Sequence, residues 1–310
     1  TTGKPIIDEI TLMEINIPFS VACAKCLTIK KKLGMISEGV NAWNKLVTGE
    51  GRIHHHCSVS TNTFRCAHRN PNLGQVPASK EFRELFTASP NMVMVGSDLS
   101  GIELRMLAHY LGRYDGGRYA DILLNGDIHQ VNADKIGITR RQVKTVTYAF
   151  LYGAGNEKLG MSYDNSLQPK EARKKGSEIR EAFVSAIEGL SELLGAVAAK
   201  STNGFLLACD GRRVLVDSPH KGLNYLLQCS AGIVAKRWML EAHELFAKYN
   251  VHTHQLAFIH DELQFECKPQ QIIQMRYGLE LAAKLAGEYY QLRCPIACEC
   301  KHGKTWADVH

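Results

Sequence analysis

Apolar and polar positions along this chain of 310 residues fall into blocks of two periods, and the blocks predict a mixed α+β protein. The first fifty residues combine a polar start, an apolar-periodic run from Ile17 to Leu33, and a cationic cluster at Lys30, Lys31 and Lys32. Residues 51–90 carry short strand and turn signals rich in Pro and Asn. Met92–Val95 (MVMV) is a short apolar run bounded by Pro90 and Gly96, as a buried strand requires, and Asp98 stands at its end. A helical pattern, GIELRMLAHYL, follows at once. The stretch Arg140–Gly153 (RRQVKTVTYAFLYG) reads as a helix with Thr139 as N-cap and Gly153 as its closing glycine. Residues 156–200 are helical and amphipathic, with Arg173, Lys174 and Lys175 on a solvated face. Asp210-Gly211, between FLLAC and RRVLV, marks a hairpin. Pro219 opens a long helix, and Ala257–Glu266 (AFIHDELQFE) reads as a second hairpin with His260, Asp261 and Glu262 at its turn. Residues 269–290 form a further helix, and the tail through Ile296 an edge strand of the same sheet.

Composition narrows the picture only a little. With 45% hydrophobic residues the chain can bury a sizeable core as one large domain or two subdomains. Lys and Arg total 37 against 31 Asp and Glu, a net charge of +6 that permits nucleic-acid binding without requiring it. Ten scattered cysteines, with no signal peptide and no long apolar run, fit a reduced cytoplasmic setting, the host cytoplasm for a viral protein, and no membrane partner. Cys23-x-x-Cys26, the group Cys294, Cys298 and Cys300, and the histidines His54, His55, His56 and His302 are donor types that zinc accepts. They do not form two regularly spaced CxxC pairs, so zinc is not assigned.

The candidate chemistry starts from one helix face. Arg140, Lys144, Tyr148 and Tyr152 recur every fourth residue, and each step drifts only about 40° around a helix. Two cations toward the N-terminus and two rings toward the C-terminus suit the phosphates and the base and sugar of a nucleoside triphosphate. By spacing alone an ordinary solvated helix with a basic edge is an equal reading. Asp98 at a strand end can be a helix N-cap or a metal ligand, since a carboxylate there can hold an ion on a rigid backbone. Asp261 and Glu262, adjacent at a turn, repel each other unless a cation joins them.

Taken together these stretches resemble a known family. R-x3-K-x3-(F/Y)-x3-Y-G resembles motif B of the family A, polymerase I-like DNA polymerases, DLSGIELR resembles motif A, and HDE resembles motif C. The three lie in family order and the likeness covers nearly the whole chain, to the short-tailed bacteriophage type in particular. The resemblance implies a right-hand polymerase, with an antiparallel palm sheet backed by helices and an all-helical fingers insertion. Residues 51–125 and 217–310 would form the palm and 126–216 the fingers. Residues 1–50 would be a thumb-to-palm remnant, without an exonuclease or most of the thumb.

The function so implied is template-directed addition of deoxynucleotides to a primer 3′ end in phage DNA replication. Asp98 and Asp261 would hold two Mg²⁺ ions, for which Mn²⁺ can substitute, with the Leu99 carbonyl as a further ligand and Glu262 in support. Arg140, Lys144 and His129 would meet the triphosphate, Lys144 also offsetting transition-state charge. Tyr148 and Tyr152 would shape the nucleotide pocket, and Glu103 would face Tyr152 to block a ribose 2′-hydroxyl. Many family members carry Phe where this chain has Tyr148, and phage members often carry Tyr. Arg65, Asn72, Gln75, His220, Asn224, Gln228 and His260 would line the primer-template duplex. The family commonly has a small residue where this chain has Phe64. The partners implied are primer-template DNA and deoxynucleoside triphosphates, with room for a second polypeptide supplying thumb or exonuclease, or for a processivity factor. A single-subunit RNA polymerase-like enzyme is the alternative, disfavoured by Glu103 and Glu262. A non-catalytic DNA-binding remnant would have no reason to keep both aspartates, and a metal-dependent nuclease no use for the basic helix.

Overall fold

The structure, a computed structural model, describes residues 7–310; most of the polar start of the chain lies outside the described residues. The chain divides into two compact units. One comprises the residues up to Ser58 together with Ala67–Val76, and the other comprises Val59–Cys66 with Pro77–His310. Inside the first unit β1 (His56–Ser58) and β2 (Ala67–Arg69) pair antiparallel.

In the first unit, α1 (Glu9–Ile15) is capped by the Asp8 side chain, which accepts from the Thr11 N–H at 2.8 Å. The predicted apolar-periodic run is α2 (Pro18–Leu33), with Pro18 at its first turn and Lys30, Lys31 and Lys32 in its last, where cations suit the helix dipole. A π-turn (Gly34–Glu38) and the short α3 (Trp43–Leu46) follow.

The second unit holds the core. After α4 (Lys80–Arg83) comes β3 (Val93–Leu99), and the strand runs through Gly96, where the sequence reading had bounded it. Gly96 sits there because a Cβ would meet the Gln264 side chain and the Val309 carbonyl, each at 2.7 Å. Next come α5 (Ile102–Leu111), α6 (Arg118–Asn125), α7 (Ile128–Ile136), α8 (Arg140–Leu151), α9 (Asn156–Tyr163), α10 (Pro169–Ala186) and α11 (Leu190–Ser201). The range 126–216 is helical as far as Ser201 and closes with a hairpin, β4 (Phe205–Leu207) paired with β5 (Arg213–Leu215). Gly211 takes φ +83° in the connecting turn.

The long helix α12 (Gly222–Lys248) is largely buried, and α13 (Ile272–Tyr289) packs on it, with the Trp238 indole N–H donating to the Leu279 carbonyl at 3.0 Å. Between these helices in sequence lie β6 (Thr253–Ile259) and β7 (Glu262–Cys267). Finally come β8 (Cys298–Gly303) and α14 (Trp306–Val309). The main sheet is antiparallel, in the order β6-β7-β3-β8, so β3 is central and both neighbours flank Asp98. The edge strand thus begins two residues beyond Ile296, where the tail was expected to end it. Pro295 has no N–H for a ladder, and Cys294 is instead buried in the connecting loop. Among the described residues no single helix is long and apolar enough to cross a membrane.

Candidate active site

Sheet order brings two distant carboxylates to one end of the sheet. Asp98 is the last residue but one of β3 and lies opposite Glu262 of β7. The β6–β7 turn has only two residues, His260 and Asp261, and His260 adopts a left-handed φ of +58°. The Leu99 N–H donates to the Asp261 carbonyl at 3.1 Å, which ties the end of β3 to that turn. Partial burial, then Asp261, Glu262, Glu103 and Glu299, push the Asp98 carboxyl up to about 7. Burial, then Glu103, push Asp261 up to about 6, against the opposing pull of Arg65. Acids outnumber cations here, and such crowding is relieved by a divalent cation. Among the described residues no group of three or more His, Cys, Asp or Glu side chains is arranged to hold a metal. The donor set is two carboxylates and main chain, which suits a hard, oxygen-seeking ion that keeps water or substrate oxygens.

Glu262, expected in support of the aspartates, is held by groups from the end of the chain and from its own strand. Its Oε1 accepts from the Trp306 indole N–H at 2.7 Å and from the Gln264 amide, and its Oε2 faces His310 Nδ1 at 3.1 Å. The carboxylate is buried among these groups, and its charge is one of those that raise the Asp98 pKa.

Glu103 meets Tyr152 as expected, and Arg65 joins them. The Tyr152 hydroxyl donates to Glu103 Oε1 at 3.0 Å, and Arg65 Nη2 reaches the same oxygen at 2.6 Å. Burial, then the Glu103 charge, push the Tyr152 phenol up to about 12, so it stays a donor. Arg65, expected to face the duplex, is thereby held at the acidic site with its side chain 18% exposed. Phe64 beside it adopts φ +54°, and its carbonyl accepts from Lys236 Nζ at 2.5 Å.

The predicted basic helix is α8, and its cap is a box: the Gln142 N–H donates to Thr139 Oγ1 at 3.3 Å, and the Thr139 N–H to Gln142 Oε1 at 3.0 Å. Gly153, at φ +73°, donates to Phe150, and Ala154 donates to Ala149, which closes the helix end. Arg140 Nε pairs with Asp127 Oδ2 at 2.6 Å, and Asp127 in turn caps α7 through the His129 and Gln130 N–H groups. Lys144 is exposed one turn on. His129 is buried with its ring centroid 6.3 Å from that of Tyr148. Burial, then Arg140, hold the imidazole below its usual pKa, and its Nδ1 has no partner. The unmet ring nitrogen lies within the influence of the Arg140 and Lys144 charges.

Of the residues expected at the duplex, Asn224 donates through Nδ2 to the Leu151 carbonyl at 2.9 Å, fastening the end of α8 to α12. Gln228, one turn further along α12, is half-buried. His220 lies exposed in the turn before α12, with Ser218 Oγ 2.8 Å from its Nδ1. His260 stands in the turn beside Asp261, its pKa lowered by burial and then by Arg65. Asn72 and Gln75 belong to the first unit, where both are exposed and the Asn72 side chain accepts from the Gly74 N–H at 3.1 Å. Three contributors escaped the sequence reading. Glu299 stands opposite Asp98 on β8, Trp306 fixes Glu262, and Arg105 braces the β3–α5 link by donating to Ser100 at 2.6 Å and to Pro295 at 2.5 Å. No periodicity or spacing signals them, because each acts across the sheet or between loops.

The family model for DNA polymerase family A matches residues 2–308. The DNA-directed DNA polymerases of Enterobacteria phage T3 and Escherichia phage T7 are each 33% identical over 347 residues, covering 99% of this chain and 49% of theirs. The chain therefore spans about half the length of the curated relatives it matches. Among solved structures, the POL domain of Pol1 from M. smegmatis, in complex with DNA primer-template and dNTP, matches with a TM-score of 0.82. That match covers 100% of this chain and 57% of that one at 21% identity, a likeness of fold.

Proposed function

The chain belongs to DNA polymerase family A, and from that premise we propose that it catalyses template-directed DNA synthesis, adding deoxynucleotides to a primer 3′ end with release of pyrophosphate. The observation that carries this reading is the convergence of Asp98 and Asp261, drawn from distant stretches of chain onto one β3–turn junction. Primer-template DNA and deoxynucleoside triphosphates are the partners, as DNA primer-template and dNTP are of the mycobacterial POL domain. Asp98, Asp261 and the Leu99 carbonyl are the residues that would hold two divalent ions, Mg²⁺ by choice and Mn²⁺ in substitution. When bound, such ions lower the pKa of an attacking hydroxyl and neutralise phosphate oxygens.

The chain's own residues do the rest. Arg140 and Lys144 supply fixed positive charge to the triphosphate, and the unmet Nδ1 of His129 supplies a polar contact. Arg140 exchanges its pairing with Asp127 for the phosphates, a low-cost exchange because both partners are half-exposed. Tyr152, held by Glu103, fills the space a ribose 2′-hydroxyl would need, which supports a deoxynucleotide substrate over a ribonucleotide. Arg65, 2.6 Å from Glu103 Oε1, holds that carboxylate in place. We assign Gln228, His220 and His260 of the second unit to DNA contact and, separately, Asn72 and Gln75 of the first.

The test is extension of a primed template with Mg²⁺ and deoxynucleotides. Asp98→Ala and Asp261→Ala should each abolish extension while binding to primer-template persists, because the basic contacts lie elsewhere. Near-normal extension by either variant would overturn the assignment.

A further inference from the structure

The cysteines of the edge strand form a cluster outside the chemistry described so far. Cys298 and Cys300 are separated by one residue on β8, so their side chains share a face. Their sulfurs lie 4.0 Å apart, and Cys300 Sγ is 3.2 Å from Ser97 Oγ of β3. Ser97 and Cys300 are directly opposite in the ladder, as are Leu99 and Cys298, so the two thiols bracket the register of Asp98. Asp98 and Glu299 point to the other face. On the thiol face α13 packs against β8, and the charges of Glu280 and Arg276 on that helix act on the sulfurs. Both cysteines are free and neither is fully buried.

Two thiolates bound to one tetrahedral zinc, with Zn–S bonds of about 2.3 Å, stand about 3.8 Å apart. The observed separation of 4.0 Å is close to that spacing. We propose that Cys298 and Cys300 form a two-sulfur site that chelates a thiophilic divalent cation of the Zn²⁺ and Cd²⁺ class, on the face of the sheet opposite Asp98. Binding releases the two thiol protons and forms two metal–sulfur bonds, with no change of oxidation state. Among the described residues no third donor completes a preformed set. The ion keeps two positions for water, or for His302, which lies one step further along the same strand face. Such a site is reversible and open rather than structural. The chemistry differs from that of the acidic site, where hard oxygen donors select Mg²⁺.

The experiment titrates the reduced full chain with Cd²⁺ and follows thiolate-to-metal charge-transfer absorbance in the ultraviolet. The amplitude should correspond to two thiolates per chain and fall by half or more in Cys298→Ser and Cys300→Ser. Zinc competition should show affinity weakened more than about tenfold in either variant, since even outer partners of a metal ligand are worth that much. Cys23→Ser/Cys26→Ser and Asp98→Asn serve as controls and should leave the band intact. Serine is nearly isosteric with cysteine, and matching melting temperatures verify the fold. A band that survives in Cys298→Ser/Cys300→Ser, or that disappears with Cys23 and Cys26, overturns the site. The readout is spectroscopic, so it stands or falls independently of whether the chain extends a primer.

Discussion

At Asp98 a single carboxyl couples pH to stability. The unfolded chain loses this proton near 3.8, whereas the folded site holds it up to about 7. Between those values the folded protein binds more protons than the unfolded one. The contribution of Asp98 to stability is therefore fully present below about pH 3.8 and is lost as the pH rises through 7. Asp98→Asn should then melt higher than the parent at pH 8, by roughly 1–3 °C, with the gain shrinking toward pH 5. Mg²⁺ should raise the parent at pH 8 and leave the variant nearly unmoved. Melting curves over pH 5–8 with and without Mg²⁺ decide it, and equal melting of the two proteins at pH 8 would remove the like-charge account. Tyr148 offers a second residue-scale test. Burial raises its pKa, so the phenol keeps a proton to donate beside His129. Where a dideoxynucleotide lacks the 3′-hydroxyl, that donor can replace the missing contact to phosphate, and discrimination falls. Tyr148→Phe should restore rejection of dideoxynucleotides by about ten- to a hundredfold in the ratio of kcat/KM values, the worth of one hydrogen bond to a charged group. An unchanged ratio would mean that Tyr148 does not face the sugar. The residues legible in the sequence were those with a repeat or a motif behind them: Asp98, Asp261, Glu103 and the face of α8. The engagement of Glu262 by Trp306 was not legible, because it depends on a helix that folds back from the far end of the chain.

At the scale of elements, α9 and α10 meet through glycine. A Cβ on Gly160 would drive into the Ala172 carbonyl, and one on Gly176 into the Asn156 carbonyl, so these backbones touch with no side chain between them. Backbone cannot yield as a flexible side chain can. Gly160→Ala and Gly176→Ala should each cost about 1–3 kcal/mol in denaturant unfolding. Gly195, inside α11 and exposed, has nothing within 4 Å of its Cβ position, so Gly195→Ala should instead stabilise by about 0.5–1 kcal/mol. Three stabilising alanine variants would show that helix propensity, rather than close approach, sets the effect. Period and capping made the long elements readable: α8 begins at Arg140 after its Thr139 cap, and the β6–β7 hairpin turns at His260 and Asp261. The ends misread were those where a tertiary contact overrides local grammar. Gly96 looks like a strand boundary until Gln264 and Val309 are seen to need its empty Cβ position. The edge strand starts at Cys298 because the loop holding Cys294 and Pro295 is anchored instead, through Arg105.

For the molecule as a whole, the two units differ sharply in how much they bury. The continuous apolar core runs from Cys66 and Val95 to Cys294 and Ile296 and lies entirely in the second unit. In the first unit α1 buries no residue, and α2 buries only Ser20 and Ala24 of its sixteen. Ile10, Met13, Ile15, Phe19 and Ile29 are all more than half exposed. Helices of this length gain little from propensity alone and rely on an apolar face being covered. Local opening of α1 and α2 should therefore need far less free energy than opening of α5 or β7, whose residues are buried nearly throughout, or of the largely buried α12. Hydrogen exchange on the free chain should show amides in α1 and α2 exchanging at least about a hundredfold faster than those of β7 and the middle of α12, a gap of about 3 kcal/mol. Trypsin should cut first at Lys30, Lys31 or Lys32, leaving a fragment that carries the Asp98 and Asp261 site. If α2 were instead protected as slowly exchanging helix in the free chain, these segments would be held by more than the burial seen within their own unit. Addition of primer-template DNA supplies the contrast: protection that rises in α2 only with DNA present would place the exposed face of the first unit among the surfaces that DNA orders.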